Sequence, residues 1–174
     1  LTPCWALFAN AHSSFRAPQT FSYDFTQPTQ KLDYERGANY EIGTRWKELR
    51  GFSGSVTAWQ VDFSDFIELD PLTNIVTNHG AFRSRGVDLV VDAQLGAWAR
   101  GLCGWSLFGN VTRQESELRE GVNEGNDTPF VPAWLAAGGV RYEHRSGAYG
   151  LVDAAFRDRS AVLDDNSIHT PDYT

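Results

Sequence analysis

Seven stretches of the chain alternate apolar with small or polar residues at period two, and the connectors between them alternate between short and long. In the second stretch, Tyr40, Ile42 and Trp46 share one parity. Glu41 and Arg45 share the other, and the two parities of a strand point to opposite sides. Transmembrane β-barrels have short turns on the periplasmic side and longer loops outside. The sequence therefore predicts an all-β fold, the antiparallel wall of a transmembrane β-barrel with about seven strands.

The bounds of the predicted strands follow from the same alternation. They are Trp5–Ser14, Asn39–Glu48, Phe52–Ile67, Phe82–Leu95, Leu102–Arg113, Val131–Glu143 and Ala148–Arg159. A bacterial single-chain barrel needs an even number of strands, and Asp164–Thr174 is predicted to form another loop. We therefore interpret residues 1–174 as a segment of a larger barrel domain.

The more apolar parity of each strand is predicted to face lipid. It comprises Tyr40, Ile42, Trp46, Trp59, Val61, Phe63, Val87, Leu89, Val91, Trp105, Leu107, Val111, Trp134, Ala136, Val140 and Tyr142. The opposite parity, predicted to face a lumen, carries Glu41, Arg45, Asp62, Asp88, Asp92, Ser106, Asn110 and Arg141. The reverse orientation would place carboxylates in the hydrocarbon of the membrane, and each would cost roughly a few kcal/mol.

Composition excludes several functions. The net charge of -7 argues against a nucleic-acid partner, because phosphate binding needs a basic surface. Cys4 and Cys103 begin strands far apart in the predicted wall, so we expect both to be unpaired. The sequence has no catalytic motif with useful spacing, no cofactor-binding glycine loop and no metal-ligand pattern. We therefore expect neither an enzyme nor a cofactor nor a metal site.

Charge in the predicted outer loops is mostly negative. The loop from Gln114 to Phe130 holds five acidic residues against one basic residue, Arg119. An acidic rim does not suit an anionic ligand unless other parts of the protein supply positive charge.

Five runs of residues resemble the later barrel strands of TonB-dependent outer-membrane receptors, in the order and with the spacing of that family. They are Ser14–Gln19, Asn39–Arg45, Asp62–Ile67, Asn78–Asp88 and Pro129–Pro132. The resemblance implies a 22-stranded barrel filled by an N-terminal plug, in the outer membrane of a Gram-negative bacterium. It also implies uptake of a scarce ligand, a ferric siderophore or ferric citrate, with energy delivered by the TonB complex through the plug.

The partners implied are therefore outer-membrane lipid, an iron chelate and the TonB complex. The plug is absent from residues 1–174, which by this resemblance are a segment of the barrel domain alone. Ligand contacts in such receptors come from the outer loops and the top of the plug, so the candidates here are positional. They are Arg16, Gln19, Asn78, His79, Arg113 and Arg119.

Two other interpretations remain open at this stage. One is a small complete outer-membrane barrel of the adhesin or lipid-modifying type, which needs an even strand count and a closing strand. The other is a soluble β-sandwich that binds carbohydrate, which would bury both parities of some strands.

Overall fold

A computed structural model describes residues 4–18, 32–70 and 75–174 of the chain. It forms one antiparallel sheet in which each strand pairs with the next along the chain. The strands are β1 (Trp5–Arg16), β2 (Glu35–Leu49), β3 (Phe52–Asp70), β4 (Ile75–Gln94), β5 (Trp105–Leu118), β6 (Trp134–Glu143) and β7 (Tyr149–Arg157). Short 3-10 turns at Leu95–Ala97 and Arg100–Leu102 join β4 to β5. We call the ends joined by the long connectors the outer ends.

The predicted number and order of strands are confirmed, but several predicted outer bounds are wrong. β3 and β4 have 19 and 20 residues and pair as far as Asp70 and Ile75, so most of the loop predicted between them is strand. β5 likewise continues to Leu118. Strands that continue beyond a lipid layer no longer need an apolar parity, and for this reason the alternation underestimated their length.

The register assigns each residue to one of two faces, because directly paired residues of antiparallel strands lie on the same side of the sheet. One face, the apolar face, includes Leu7, Ala9, Ile42, Val56, Ala58, Val87, Leu89, Val91, Leu107, Val111, Ala136, Val140, Val152 and Ala154. The other, the polar face, includes Asn10, His12, Glu41, Arg45, Thr57, Asp88, Asp92, Asn110, Thr112, Arg141 and Asp153. Outside part of β3 and the outer ends of the strands, the two parities therefore separate across the sheet.

The predicted facing of β3 is wrong. Trp59 pairs with Glu41 on one side and with Gly86 on the other, so it lies on the polar face together with Val61 and Phe63. Their neighbour Asp62 lies on the apolar face, near the outer end. The larger side chains of β3 point to the polar face because small residues of the adjoining strands leave room for them, as for Trp59 over Gly86.

The sheet has almost no protein interior. Ala93, Pro132 and Ala161 are the buried apolar side chains among the described residues, and no large one is fully buried. Ile42, Leu89 and Leu107 on the apolar face are 65%, 39% and 41% exposed. An apolar surface of this extent must be covered by another apolar phase or partner. No helix in the described part of the chain is long and apolar enough to cross a membrane.

The sheet is open, because β1 pairs with β2 alone among the strands and β7 with β6 alone, apart from one isolated bridge between Arg157 of β7 and Tyr173. The described residues supply neither a second sheet, which a β-sandwich requires, nor a pairing that closes a small barrel. After β7 the chain forms isolated bridges such as Ala161 with His169, so the predicted loop at Asp164–Thr174 is confirmed. Both cysteines are free, as predicted.

Candidate functional site

A buried carboxylate joins the outer ends of three strands. Glu35, at the start of β2, is 2% exposed and accepts a 2.6 Å hydrogen bond from Nη2 of Arg16 on β1. It also accepts a 3.0 Å bond from the backbone N–H of Ile67 on β3. Beyond Ser64, β3 no longer pairs with β2, and Asp65 has a positive φ of 57°. The Glu35 side chain thus replaces a ladder bond that the backbone cannot make.

Glu35 lies five residues outward of Tyr40 and therefore beyond the apolar band. Burial acts to raise the pKa of its carboxyl. The hydrogen bonds from Arg16 and Ile67, together with the charge of Arg16, outweigh burial and hold the pKa below its ordinary value of 4.5. Since the folded-state pKa is depressed, the stabilisation is present above the ordinary value and is lost as the pH falls through the depressed one.

We expect acid to loosen this junction. As the pH falls from about 7 through the depressed pKa of Glu35, the Ile67 amide should lose protection from hydrogen exchange relative to the Val61 amide, which lies in the regular β2–β3 ladder. Mass-spectrometric or NMR exchange measurements would report the ratio. In Glu35→Gln, which keeps an acceptor oxygen but no charge, the ratio should already be reduced at neutral pH and stay constant in acid. A wild-type ratio unaffected by acid would contradict the assignment.

Asn78 is held in place by three hydrogen bonds. Its Nδ2 donates to the carbonyl oxygens of Asp65 at 2.6 Å and Asp33 at 3.1 Å, and its Oδ1 accepts from the Asp33 N–H at 2.8 Å. The amide therefore ties the segment before β2 to the β3–β4 hairpin. A ligand that used this side chain would have to replace bonds already made.

An open groove of about 780 Å³ lies at the outer ends of β1 to β4. Most of its lining residues have the parity of the apolar face, and they combine aromatic rings with charges: Phe15, Tyr34, Arg36, Asp62, Arg83 and Arg119. The Phe15 and Tyr34 rings meet edge to face, with centroids 5.9 Å apart. We call this region the outer groove.

The structure places the predicted contact residues that it describes in different surroundings. Arg16 lies on the polar face and is 60% exposed in its ion pair with Glu35. Arg113 lies on the apolar face, with its guanidinium 5.5 Å from the centre of the Trp134 ring. Arg119 lies in the outer groove and bonds Glu117 at 2.7 Å. Gln19 lies outside the described residues, as does the side chain of His79.

Two long connectors pack together at the outer end of the sheet. Asn166, after β7, donates from Nδ2 to the Asp127 carbonyl and accepts from the Asp127 N–H, at 2.9 and 2.8 Å. The N–H of Phe130 donates to the Ala161 carbonyl at 2.7 Å. A cavity of about 440 Å³ lies between these segments and β5, with both acidic and basic side chains around it. The acidic loop predicted from the sequence is thus a fixed part of the outer end.

The polar face carries titratable groups that the sequence analysis did not name as ligand contacts. Thr112 donates a 2.8 Å hydrogen bond to Asp88, and Arg141 bonds Ser106 at 3.3 Å. Arg45 has its guanidinium 5.4 Å from the centre of the Phe8 ring. In the part of the chain that the structure describes, no three His, Cys, Asp or Glu side chains are grouped as metal ligands. The polar face can therefore form hydrogen bonds and ion pairs with water or with a polar protein surface that packs against it.

Comparison with known proteins points to one family. Residues 1–174 match the family model described as TonB dependent receptor-like, β-barrel. No curated protein matches the sequence.

Several solved structures share the fold of the chain. The ferric citrate transporter FecA in its unliganded form is 22% identical, with a TM-score of 0.85 over 99% of this chain and 27% of that chain. The ferric yersiniabactin uptake receptor FyuA from Yersinia pestis is 22% identical, with a TM-score of 0.73 over 99% and 26%. The siderophore receptor PiuA from Acinetobacter baumannii is 18% identical, with a TM-score of 0.77 over 99% and 26%. The chain spans about a quarter of the length of these proteins.

Proposed function

Because the chain belongs to the β-barrel family of TonB-dependent receptors, we propose that it forms part of the barrel wall of a receptor that takes up a ferric siderophore or ferric citrate. The family and the similar structures are receptors and transporters, not enzymes. The proposed receptor lies in the outer membrane of a Gram-negative bacterium. Its plug, outside residues 1–174, contacts the TonB complex.

The observation that carries the proposal is an apolar face that continues across all seven strands, within a segment that matches the family model throughout. The apolar face suits the acyl chains of a membrane, and the polar face suits a plug or a wet lumen. Strand β1 has a free outer edge in the described sheet, and so does β7 apart from the bridge between Arg157 and Tyr173; the remaining strands of a larger barrel would pair along these edges.

An iron chelate is the proposed ligand because the similar structures include a ferric citrate transporter and a ferric yersiniabactin uptake receptor. The acidic loop after β5 weighs against an anionic chelate unless other loops or the plug contribute cations. Ferric citrate, which is anionic, is therefore the less favourable ligand for this acidic loop. A chelate of lower negative charge fits this part of the outer end better.

Among the six candidate ligand contacts, we propose first those that lie on the polar face or in the outer loops. Arg16 has the parity of the polar face, and Gln19 and His79 stay proposals on position alone. Asn78 stays a candidate only for a ligand able to replace its three bonds. Arg113 and Arg119 have the parity of the apolar face. To contact a ligand inside the lumen, their side chains would have to extend around the outer ends of the strands.

Uptake measurements test the proposal. We expect deletion of the gene for this protein to abolish uptake of radioactive iron from one ferric chelate, with the others supplied one at a time as controls. Reintroducing the gene should restore that uptake, and a strain without a working TonB complex should not take up the same chelate. Unchanged uptake from every chelate would contradict the iron assignment, and recovery of the protein in the soluble fraction would contradict the barrel assignment.

A further inference from the structure

The connector from β5 to β6 (residues 119–133) and the segment that follows β7 (residues 158–174) are joined across the outer end of the sheet. We call them the first and the second outer segment. The side-chain amide of Asn166, in the second outer segment, bonds both the N–H and the carbonyl of Asp127 in the first. This amide therefore makes the two bonds that a paired residue of a β-strand would make. Nδ2 of Asn126 returns a 2.9 Å bond to a carbonyl of the second outer segment.

The contact between the two outer segments is packed as well as hydrogen-bonded. Pro132 of the first and Ser160 and Ala161 of the second are buried, in a sheet that otherwise has almost no interior. The Ala161 carbonyl accepts the N–H of Phe130 from the first outer segment at 2.7 Å. Low local stability in a protein goes with few buried contacts and solvent-exposed hydrogen bonds, and this contact has the opposite character.

Each outer segment is also closed by backbone bonds of its own. In the first, the Leu118 N–H at the end of β5 donates to the Asn126 carbonyl, and the Gly125 N–H donates to the Leu118 carbonyl, both at 2.9 Å. In the second, the Val162 N–H donates to the Ile168 carbonyl at 2.8 Å. The N–H groups of Leu118, Gly125 and Val162 are thus not bonded to Asn166, and their hydrogen exchange reports the opening of each segment.

Charge opposes the contact between the outer segments, because each has more acidic than basic residues. The first has Glu120, Glu124 and Asp127 against Arg119, and the second has Asp158, Asp164, Asp165 and Asp172 against Arg159. Like charges repel, and salt screens the repulsion between exposed charges. The bonds that join the two segments, in contrast, are made by neutral amide and backbone groups.

We propose that Asn166 couples the two outer segments into one unit, which opens from the outer end of the sheet and closes on it as a whole. Whatever binds or disturbs one segment then changes the opening of the other, and this coupling is reciprocal by thermodynamic necessity. The proposal rests on contacts between two described segments and not on what the receptor transports.

The test is hydrogen exchange of the full-length protein in an uncharged detergent, read by mass spectrometry. Asn166→Gly removes the side-chain amide and suits the positive φ of 55° at this position. We expect Leu118 and Gly125, in the other segment, to exchange about tenfold faster or more, since the variant loses two hydrogen bonds between the segments. Faster exchange confined to the second outer segment would mean that the two segments open separately, and would overturn the proposal.

The reciprocal variant is Asn126→Ala, which should speed exchange at Val162 in the second outer segment. The matched control is Asn78→Ala, because Asn78 holds both backbone groups of Asp33 in the same way at another connector. We expect this control to leave Leu118, Gly125 and Val162 unchanged. An equal effect of the control would indicate general loosening of the outer end and would contradict the coupling.

Ionic strength gives a second measurement that needs no substitution. Raising it from about 0.01 to about 0.15 M shortens the screening length from about 30 to about 8 Å. In the wild-type protein, exchange at Leu118 and at Val162 should slow together, by the same factor, because one unit closes. A response of one segment without the other would also overturn the proposal.

Discussion

Replacing Leu89 by arginine is expected to destabilise the folded protein in lipid by roughly 2–4 kcal/mol, whereas the same replacement at Val90 is expected to change stability little. Leu89 lies between Val87 and Val91 on the apolar face, near the middle of the apolar stretch of β4. A guanidinium there must enter hydrocarbon or deform the bilayer to reach water. Denaturant titration of the full-length protein in lipid vesicles, followed by tryptophan fluorescence, would measure the difference.

Val90 is a close control because it is the next residue in the same strand. It is 46% exposed and Leu89 is 39% exposed, so neither substitution overfills a packed interior. Val90 pairs with Ser55 and Asn110 on the polar face, where an added cation has hydrogen-bonding neighbours. Equal destabilisation at both positions would mean that the two faces meet the same solvent, and the assignment of the apolar face to lipid would be wrong.

The alternation of residues was sufficient to predict the hairpin order, because that order depends only on local pairing of consecutive strands. It was insufficient at the outer ends, where β3 and β4 continue with charged residues such as Glu68 and Asp70. A strand that leaves the membrane keeps its backbone hydrogen bonds and loses the requirement for an apolar parity. Strand length beyond the lipid is therefore set by pairing, which one strand's sequence does not reveal.

The wrong facing of β3 has a specific physical cause. Both of its parities hold apolar residues, with Val56 and Ala58 on one side and Trp59 and Phe63 on the other. The aromatic parity was assigned to the lipid side because its side chains are larger. The facing of a strand, however, is set by its register with the neighbouring strands. The correct face could have been predicted from the glycines of the neighbouring strands, which leave room for the large side chains of β3, and not from the two parities of β3 alone.

The candidate site was less predictable than the fold. Glu35 meets Ile67 across 32 positions in the chain, and Asn78 meets Asp33 across 45. Such bonds form only after the strands are in register, so residue type and position alone did not indicate that Asn78 serves the fold. Arg113 and Arg119 are similar: their parity could have been counted from Val111, but the place of Arg119 in the outer groove depends on the ends of four other strands.

Replacing Gly86 by alanine is expected to cost roughly 1–3 kcal/mol, more than the same change at Gly101. A Cβ at Gly86 would lie 2.7 Å from Cζ2 of Trp59 and 2.8 Å from the Arg113 carbonyl oxygen. The indole covers the glycine from the neighbouring strand, an arrangement that pins the register of a sheet. Gly101 is the control, because no heavy atom lies within 4 Å of its added Cβ and its φ is not positive.

Trp59→Phe provides the decisive comparison. The indole Nε1 is buried and has no hydrogen-bond partner among the described residues, so the smaller ring forfeits packing but no hydrogen bond. In the double variant Gly86→Ala/Trp59→Phe, the phenyl ring leaves more space for the new methyl group. The two changes together should therefore cost less than the sum of the single changes, by more than about 0.5 kcal/mol. Additive costs in the same vesicle titration would mean that Trp59 does not pack on Gly86, and the polar-face position of β3's large side chains would lose its support.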